Sequence, residues 1–264
     1  MHTLSLRATY IGGPTALLEV AGLRLLTDPT FDPAGTEYRT PFYTLRKTSG
    51  PAVTPDALDP IDAVLLSHDH HFDNLDHSGR ALLPRVPTVL TTLAGAERLG
   101  GHARGLAPWV SVELDAPGKH GLRVTGTPAR HGPADGDRGP VTGFLLSDAS
   151  QSESPQVPAI YVSGDTVWYD ELRDVAARAD VRIAMLFLGA ARVREVGPAH
   201  LTFAANEAVQ AARAFPRAVI VPLHYADWEH FSEGRTEVEI AFRTEGLSER
   251  LRWLAPGRPT DLSG

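Results

Sequence analysis

The sequence predicts an α/β protein in which two mixed β-sheets pack face to face with helices on both outer faces. Three observations carry this reading. The first part of the chain is a run of short apolar strands broken by glycine and proline turns. Strands then alternate with helical patterns through both halves, and residues with metal-ligand chemistry stand directly after apolar strands at four separate places. With 264 residues, 42% of them hydrophobic, the chain can bury an ordinary core without covalent staples, and residues 1–264 are expected to form a single domain.

Taken in order, Leu4 to Ile11, Ala16 to Val20 and Arg24 to Thr27 read as strands separated by Gly12-Gly13-Pro14 and Ala21-Gly22, an antiparallel meander. Asp28 to about Pro60 is rich in Pro, Gly and Thr without a period, and a connection that long is expected to serve function. Ile61 to Ser67 is a buried strand by its Ala63-Val64-Leu65-Leu66 run. Further strands are expected at Thr88 to Thr91, Val110 to Leu114, Leu122 to Thr127, Val141 to Leu146, Ala159 to Val162, Val181 to Leu188 and Ala218 to Val221. Helices are expected at Ala94 to Leu99, Asp170 to Arg178, His200 to Phe215 and Glu237 to Thr244, and Ser147 to Pro158 reads as a solvated hairpin loop.

Composition narrows the chemistry. There is no cysteine, which removes disulfides, thiolate ligands and cysteine nucleophiles, so any metal site must use His, Asp, Glu or Asn. Net charge is -7 and the 25 basic residues are scattered, which argues against a nucleic-acid partner. The first residues lack a signal-peptide pattern, and no apolar run approaches the ~20 residues of a spanning helix. A soluble cytoplasmic protein acting on a small molecule, without integral membrane contact, is the expectation; a homo-oligomer is left open.

The stretch Leu65 to Asp76, LLSHDHHFDNLD, sets three histidines and three aspartates behind a buried strand. A divalent ion is the commonest reason to hold neutral imidazoles and carboxylates so close, since unneutralised carboxylates repel. Three further segments repeat the pattern of a ligand type past a strand end: Thr127-Pro128-Ala129-Arg130-His131, Tyr161-Val162-Ser163-Gly164-Asp165 and Val221-Pro222-Leu223-His224. Together they place a metal site at one edge of the sandwich.

With Ile11-Gly12-Gly13-Pro14-Thr15-Ala16 and Leu26-Thr27-Asp28-Pro29 added, these motifs resemble the metallo-β-lactamase superfamily from about Thr9 to Ala226. The likeness is nearest to the branch of ascorbate-phosphate lactonases and N-acylphosphatidylethanolamine phospholipases. It implies an αββα sandwich with two divalent ions, Zn2+ or Mn2+. His68, His70 and His131 would hold the first, Asp73 and His224 the second, and Asp165 would bridge both. It also implies a hydroxide nucleophile made from metal-bound water, with Asp73 and Asp165 as the catalytic carboxylates.

One departure stands out. The superfamily pattern is His-x-His-x-Asp-His, whereas this chain has one residue more before Asp73, and Asn74 stands where the second-site histidine belongs. Anchoring on Ser67-His68 makes His68 and His70 the first pair, with His71 as the reserve ligand; anchoring on Asp73-Asn74-Leu75-Asp76 makes the pair Asp69 and His71. The first alignment is preferred. An amide oxygen is a weak zinc donor beside imidazole, so the second site is expected to be the weaker one.

Around this set, Asp28 resembles an acidic residue beneath the site that orients ligating imidazoles. Asp76 is expected to cap a following helix. His200 resembles a residue near substrate, and Trp168 is a candidate for the pocket. Tyr169, Trp228, His230 and Phe231 also flank the ligand loops and are candidates to line the pocket, although aromatic residues at such places mostly pack. Arg46 with Lys47, and Arg192 with Arg194, are read as solvated charge in preference to anion binding. The function expected is a metal-dependent hydrolase of a small ester, lactone, amide or phosphodiester; the alternatives are a mononuclear-iron redox enzyme or a metal-binding protein with impaired hydrolysis.

Overall fold

A computed structural model describes residues 5–115, 118, 121–135, 138–152 and 154–262. Fifteen strands and five α-helices follow one another along it. The strands are β1 (Leu6–Gly12), β2 (Thr15–Val20), β3 (Leu23–Thr27), β4 (Glu37–Arg39), β5 (Thr44–Arg46), β6 (Ala63–Leu65), β7 (Val89–Thr91) and β8 (Ala103–Gly105). They continue with β9 (Ser111–Leu114), β10 (Leu122–Thr127), β11 (Gly143–Asp148), β12 (Pro158–Val162), β13 (Asp180–Phe187), β14 (Val219–Leu223) and β15 (Pro259–Leu262). The helices are α1 (His77–Leu82), α2 (Leu93–Leu99), α3 (Arg173–Arg178), α4 (Ala205–Ala214) and α5 (Arg235–Thr244).

One sheet has seven strands in the order β15-β1-β2-β3-β6-β7-β8, the other six in the order β14-β13-β12-β11-β10-β9. Alternation along the strands explains why they face one another. In β1, Leu6, Ala8 and Tyr10 join a core shared with Val124, Phe144, Ile160, Met185 and Val221 of the other sheet, whereas Ile11, Leu17 and Leu26 pack outward with Leu75 and Leu82. On the opposite surface Tyr161, Ala184 and Leu186 meet Val175, Ala208, Phe215, Val238 and Phe242 from α3, α4 and α5. The layers are therefore helix, sheet, sheet, helix, as expected from the sequence.

Strand β6 is buried on both faces, Val64 outward and Leu65 inward, which is why its sequence is an unbroken apolar run and not an alternation. It runs parallel to β3 and β7, while β12, β13 and β14 are parallel to one another. Since β10 is antiparallel to β11 and β11 to β12, the C-terminal ends of β10, β12 and β14 lie at one edge of their sheet. Carboxyl ends of parallel strands are where α/β sheets collect functional loops.

Several expectations shift. The long loop after Asp28 contains the antiparallel hairpin β4–β5, whose Tyr38 and Leu45 pack on Ala191, Val193, Leu201 and Trp228. The helix expected from His200 begins only at Ala205: residues 200–204 remain extended or bent, because Leu201 and Phe203 bond back to Ala191 and Phe187. Lys47 is not solvated charge. It is 3% exposed and its ammonium lies 3.0 Å from the buried Asp76, which also caps α1 by accepting from Gly79 N at 2.8 Å. Burial lowers the Lys47 pKa while Asp76 opposes that shift.

Candidate metal centre

Two clusters of ligand-bearing side chains meet at this edge: His68, His71 and His131 form one, and Asp73, Asp165 and His224 the other. His68 follows β6 through Leu66 and Ser67, His131 follows β10, Asp165 follows β12 and His224 follows β14 directly, so four strand ends deliver four donors. Gly164 makes the approach possible. Its φ is +60°, and a Cβ there would stand 2.6 Å from Thr142 O and 2.7 Å from the Ser67 Cβ. His224 itself has φ 53°, a conformation costly for a non-glycine residue, and its N–H donates to Gly13 O at 2.8 Å.

In the imidazole cluster His71 Nδ1 lies 2.9 Å from His68 Nε2 and 3.0 Å from His131 Nε2. The remote nitrogens determine what these atoms present. His131 Nδ1 is 2.8 Å from Leu201 O, which can only accept, so the proton sits on Nδ1 and Nε2 offers a lone pair. Ser67 Oγ donates to Asp28 Oδ1 at 2.6 Å and is 2.9 Å from His68 Nδ1, so it accepts from that nitrogen and leaves Nε2 of His68 bare. Burial, helped by the neighbouring His71 and His131, holds the His68 pKa well below its usual value. Burial and His131 likewise push His71 down to about 3. Three imidazole nitrogens converging at about 3 Å, with the far nitrogens of His68 and His131 engaged elsewhere, are a ligand set for a cation.

The second cluster is anionic. Asp165 faces both: its Oδ2 is 3.8 Å from His131 Nε2 and its Oδ1 3.5 Å from His224 Nε2. Asp73 Oδ2 is 3.6 Å from His224 Nε2. Burial works against a charged His224, yet Asp165 and Asp73 overcome it and hold its pKa up at about 10. Burial would raise both carboxyls, and the imidazoles override it: His224 and His230 hold Asp73 well below the usual range, and His224 with His131 lowers Asp165. Both Asp165 oxygens and both His224 nitrogens are buried without a hydrogen-bond partner. Buried polar groups are seldom left so, and a divalent ion satisfies this donor set.

The structure separates the residues named from sequence. His68, Asp73, His131, Asp165 and His224 come together; His71 joins them and His70 does not. The His70 ring turns outward, its Nε2 2.8 Å from Arg138 O. The extra residue is thus absorbed between His68 and His71, so each alignment is half right. Asp69 is turned away too, paired with Arg98. Asn74 is buried, its Nδ2 3.5 Å from Ser67 Oγ and its Oδ1 unpartnered. Asp28 accepts from Ser67 N and Oγ, the position expected of it.

His200 is directed elsewhere, 3.1 Å from Glu207 Oε1, because that carboxylate also caps the first turn of α4. Trp168 packs on the outer core beneath Arg173, 5.5 Å from the guanidinium, and not in the pocket. A narrow cavity of about 30 Å³ opens onto the centre, lined by His71, Asp73, His131 and His230 with Tyr43, Leu45, Arg138, Val193 and Leu201. His230, a pocket candidate from the sequence, lines this cavity, and its Nε2 is 3.0 Å from Asp73 Oδ2, a contact the sequence did not foretell. No spacing rule points to it; the one signal is a histidine set among aromatics six residues after a ligand.

Residues 23–225 match the family model described as beta-lactamase superfamily domain. A protein named UPF0173 metal-dependent hydrolase from Opitutus terrae is 30% identical over 233 residues, 83% of this chain and 85% of that one. The UPF0173 protein YddR of Bacillus subtilis is 25% identical over 92% of this chain and 94% of its own. Among solved structures, a possible metal-dependent hydrolase from Veillonella parvula superposes with a TM-score of 0.80 at 18% identity, covering 99% of this chain and 100% of that one. The isothiocyanate hydrolase from Delia radicum gut bacteria gives 0.79 at 21%, covering 98% and 100%. At these identities the structural likeness speaks for the fold.

Proposed function

The chain belongs to the beta-lactamase superfamily, and from that premise we propose that it is a metal-dependent hydrolase of a small ester, lactone, amide or phosphodiester, using two divalent ions. The observation that carries this reading is the placing of Asp165 between the two clusters, 3.8 Å from His131 Nε2 of the imidazole group and 3.5 Å from His224 Nε2 beside Asp73. His68, His71, His131 and Asp165 would hold one ion, and Asp73, Asp165 and His224 the other. When bound, such ions acidify a water to hydroxide near neutral pH and polarise the bond under attack.

The protein's own groups support this chemistry. Leu201 O and the Asp28–Ser67 pair keep the imidazole protons on the far nitrogens, so the near ones remain donors of electron pairs. Asp73 Oδ2 is both a ligand candidate and a proton acceptor held by His230, a suitable place to take and return a proton at the mouth of the cavity. The cavity's apolar wall of Leu45, Val193 and Leu201 and the polar groups of Tyr43 and Arg138 would supply contacts to a small substrate.

The test is metal analysis of the purified protein, followed by turnover assays on lactone, carboxylic ester, amide and phosphodiester panels with added zinc or manganese. The isothiocyanate hydrolase likeness adds small isothiocyanates to the panel. Turnover lost on chelation, restored by metal and lost in His131→Ala, is the expected result. Bound iron with oxygen consumption would replace this reading with a redox one, and a metal-loaded protein without turnover on any panel would contradict it.

A further inference from the structure

We propose that His230 is a metal ligand of the carboxylate half. The inference rests on the two-ion reading above. Asp73, Asp165 and His224 supply three protein donors and a water would take a fourth position, so a further protein donor brings the ion to five. Asn74, the sequence neighbour, offers only a neutral amide oxygen, a weak donor beside imidazole, while its amide nitrogen lies 3.5 Å from Ser67 Oγ.

His230 approaches from the other side. Its backbone is fixed, the carbonyl accepting from Arg192 N at 2.8 Å and the next residue bridging to Ala191, so only the ring has freedom. Nε2 lies 3.0 Å from Asp73 Oδ2, which lies 3.6 Å from His224 Nε2, which lies 3.5 Å from Asp165 Oδ1. Two donors bonded to one ion at about 2.0–2.2 Å stand about 3.0–3.5 Å apart at ordinary coordination angles. The sequence His230, Asp73, His224, Asp165 is thus a chain of neighbours spaced like the edges of one coordination shell.

The rest of the ring points the same way. Two histidines outside the centre are tied to backbone, His70 to Arg138 O and His102 to Val86 O. His230 has no such tie: Nε2 meets only Asp73, and Nδ1 is buried without a partner. Its side chain also lines the cavity shared with His71 and His131.

Metal-stripped protein titrated with cobalt(II) tests the assignment, read by ion affinity and by the hyperfine-shifted imidazole N–H resonances that directly bound histidines give. The wild type is expected to take two ions. His230→Gln should keep the first with unchanged affinity, weaken the second at least about 100-fold and lose one shifted imidazole resonance. His230→Asn serves as the second variant if Gln does not fold, with unchanged first-ion affinity as the folding control. The proposal is overturned if either folded variant retains every shifted resonance, even with a weaker second ion, because His230 would then only orient Asp73 while the two-ion reading stood. A wild type that binds a single ion overturns both.

Discussion

The two halves of the centre are built by different means. The imidazole half is rigid and neutral: His68 and His131 are each locked by a bond on the far nitrogen, to Ser67 and to Leu201, and burial keeps His68 and His71 uncharged. The carboxylate half carries concentrated negative charge, with His224 strained at its backbone and both its ring nitrogens unpartnered. The first half waits for a cation with lone pairs already aimed; the second holds a proton on His224 that a cation must displace. Asp165 belongs to both, and so couples them.

The largest way to break this comparison is to remove the shared residue. Asp165→Asn should cost both halves their ions and reduce turnover by more than about 100-fold, since losing an outer partner of a ligand alone costs about 10- to 100-fold; equilibrium dialysis and turnover read it together. His131→Ala should act on one half, abolishing the stronger ion while His224 and the carboxylates still retain metal weakly, as metal content per chain would record. Ser67→Ala is a finer cut. It leaves every ligand in place but removes the hydroxyl between Asp28 and His68, and metal affinity of the imidazole half should fall about 10- to 100-fold in a competition titration with a chelator.

Proton linkage sharpens the contrast. His224 has a folded value of about 10 against 6.5 for the free group. The stability it gives the metal-free protein is therefore complete below about pH 6.5 and is lost as pH rises through about 10. Metal-free protein should accordingly melt at falling temperature across that window, and metal-loaded protein should not show this dependence. At pH 7.5, filling the carboxylate half should release about one proton from His224, whereas filling the imidazole half should release none from His68 or His71, which are already neutral there. Calorimetry in two buffers of different ionisation enthalpy distinguishes the two. The smallest effect belongs to residues outside the centre: His200→Gln and Trp168→Ala should change turnover by less than about twofold.

What was legible in the sequence follows the same division. Ligands placed by a strand end were visible because an apolar run fixes where the chain stops, as with Leu66-Ser67-His68 and Leu223-His224. Within the loop after His68 the backbone no longer dictates direction, so the exchange of His70 for His71 depended on how one extra residue is absorbed. The β4–β5 hairpin and the contact of His230 with Asp73 were illegible for a different reason. They rest on contacts far apart in sequence, such as Ala191 with Phe231 and Lys47 with Trp228, which no local period encodes. Lys47 illustrates the point: nothing near it in the chain announces that Asp76 neutralises it in the core.

Anomalous diffraction from crystals soaked in manganese tests the central claim most directly. Two peaks are predicted about 3.5–4 Å apart, one against His68, His71 and His131, the other against Asp73 and His224, with Asp165 touching both. Manganese bound only at surface carboxylates, with no density on Asp165, would contradict the account.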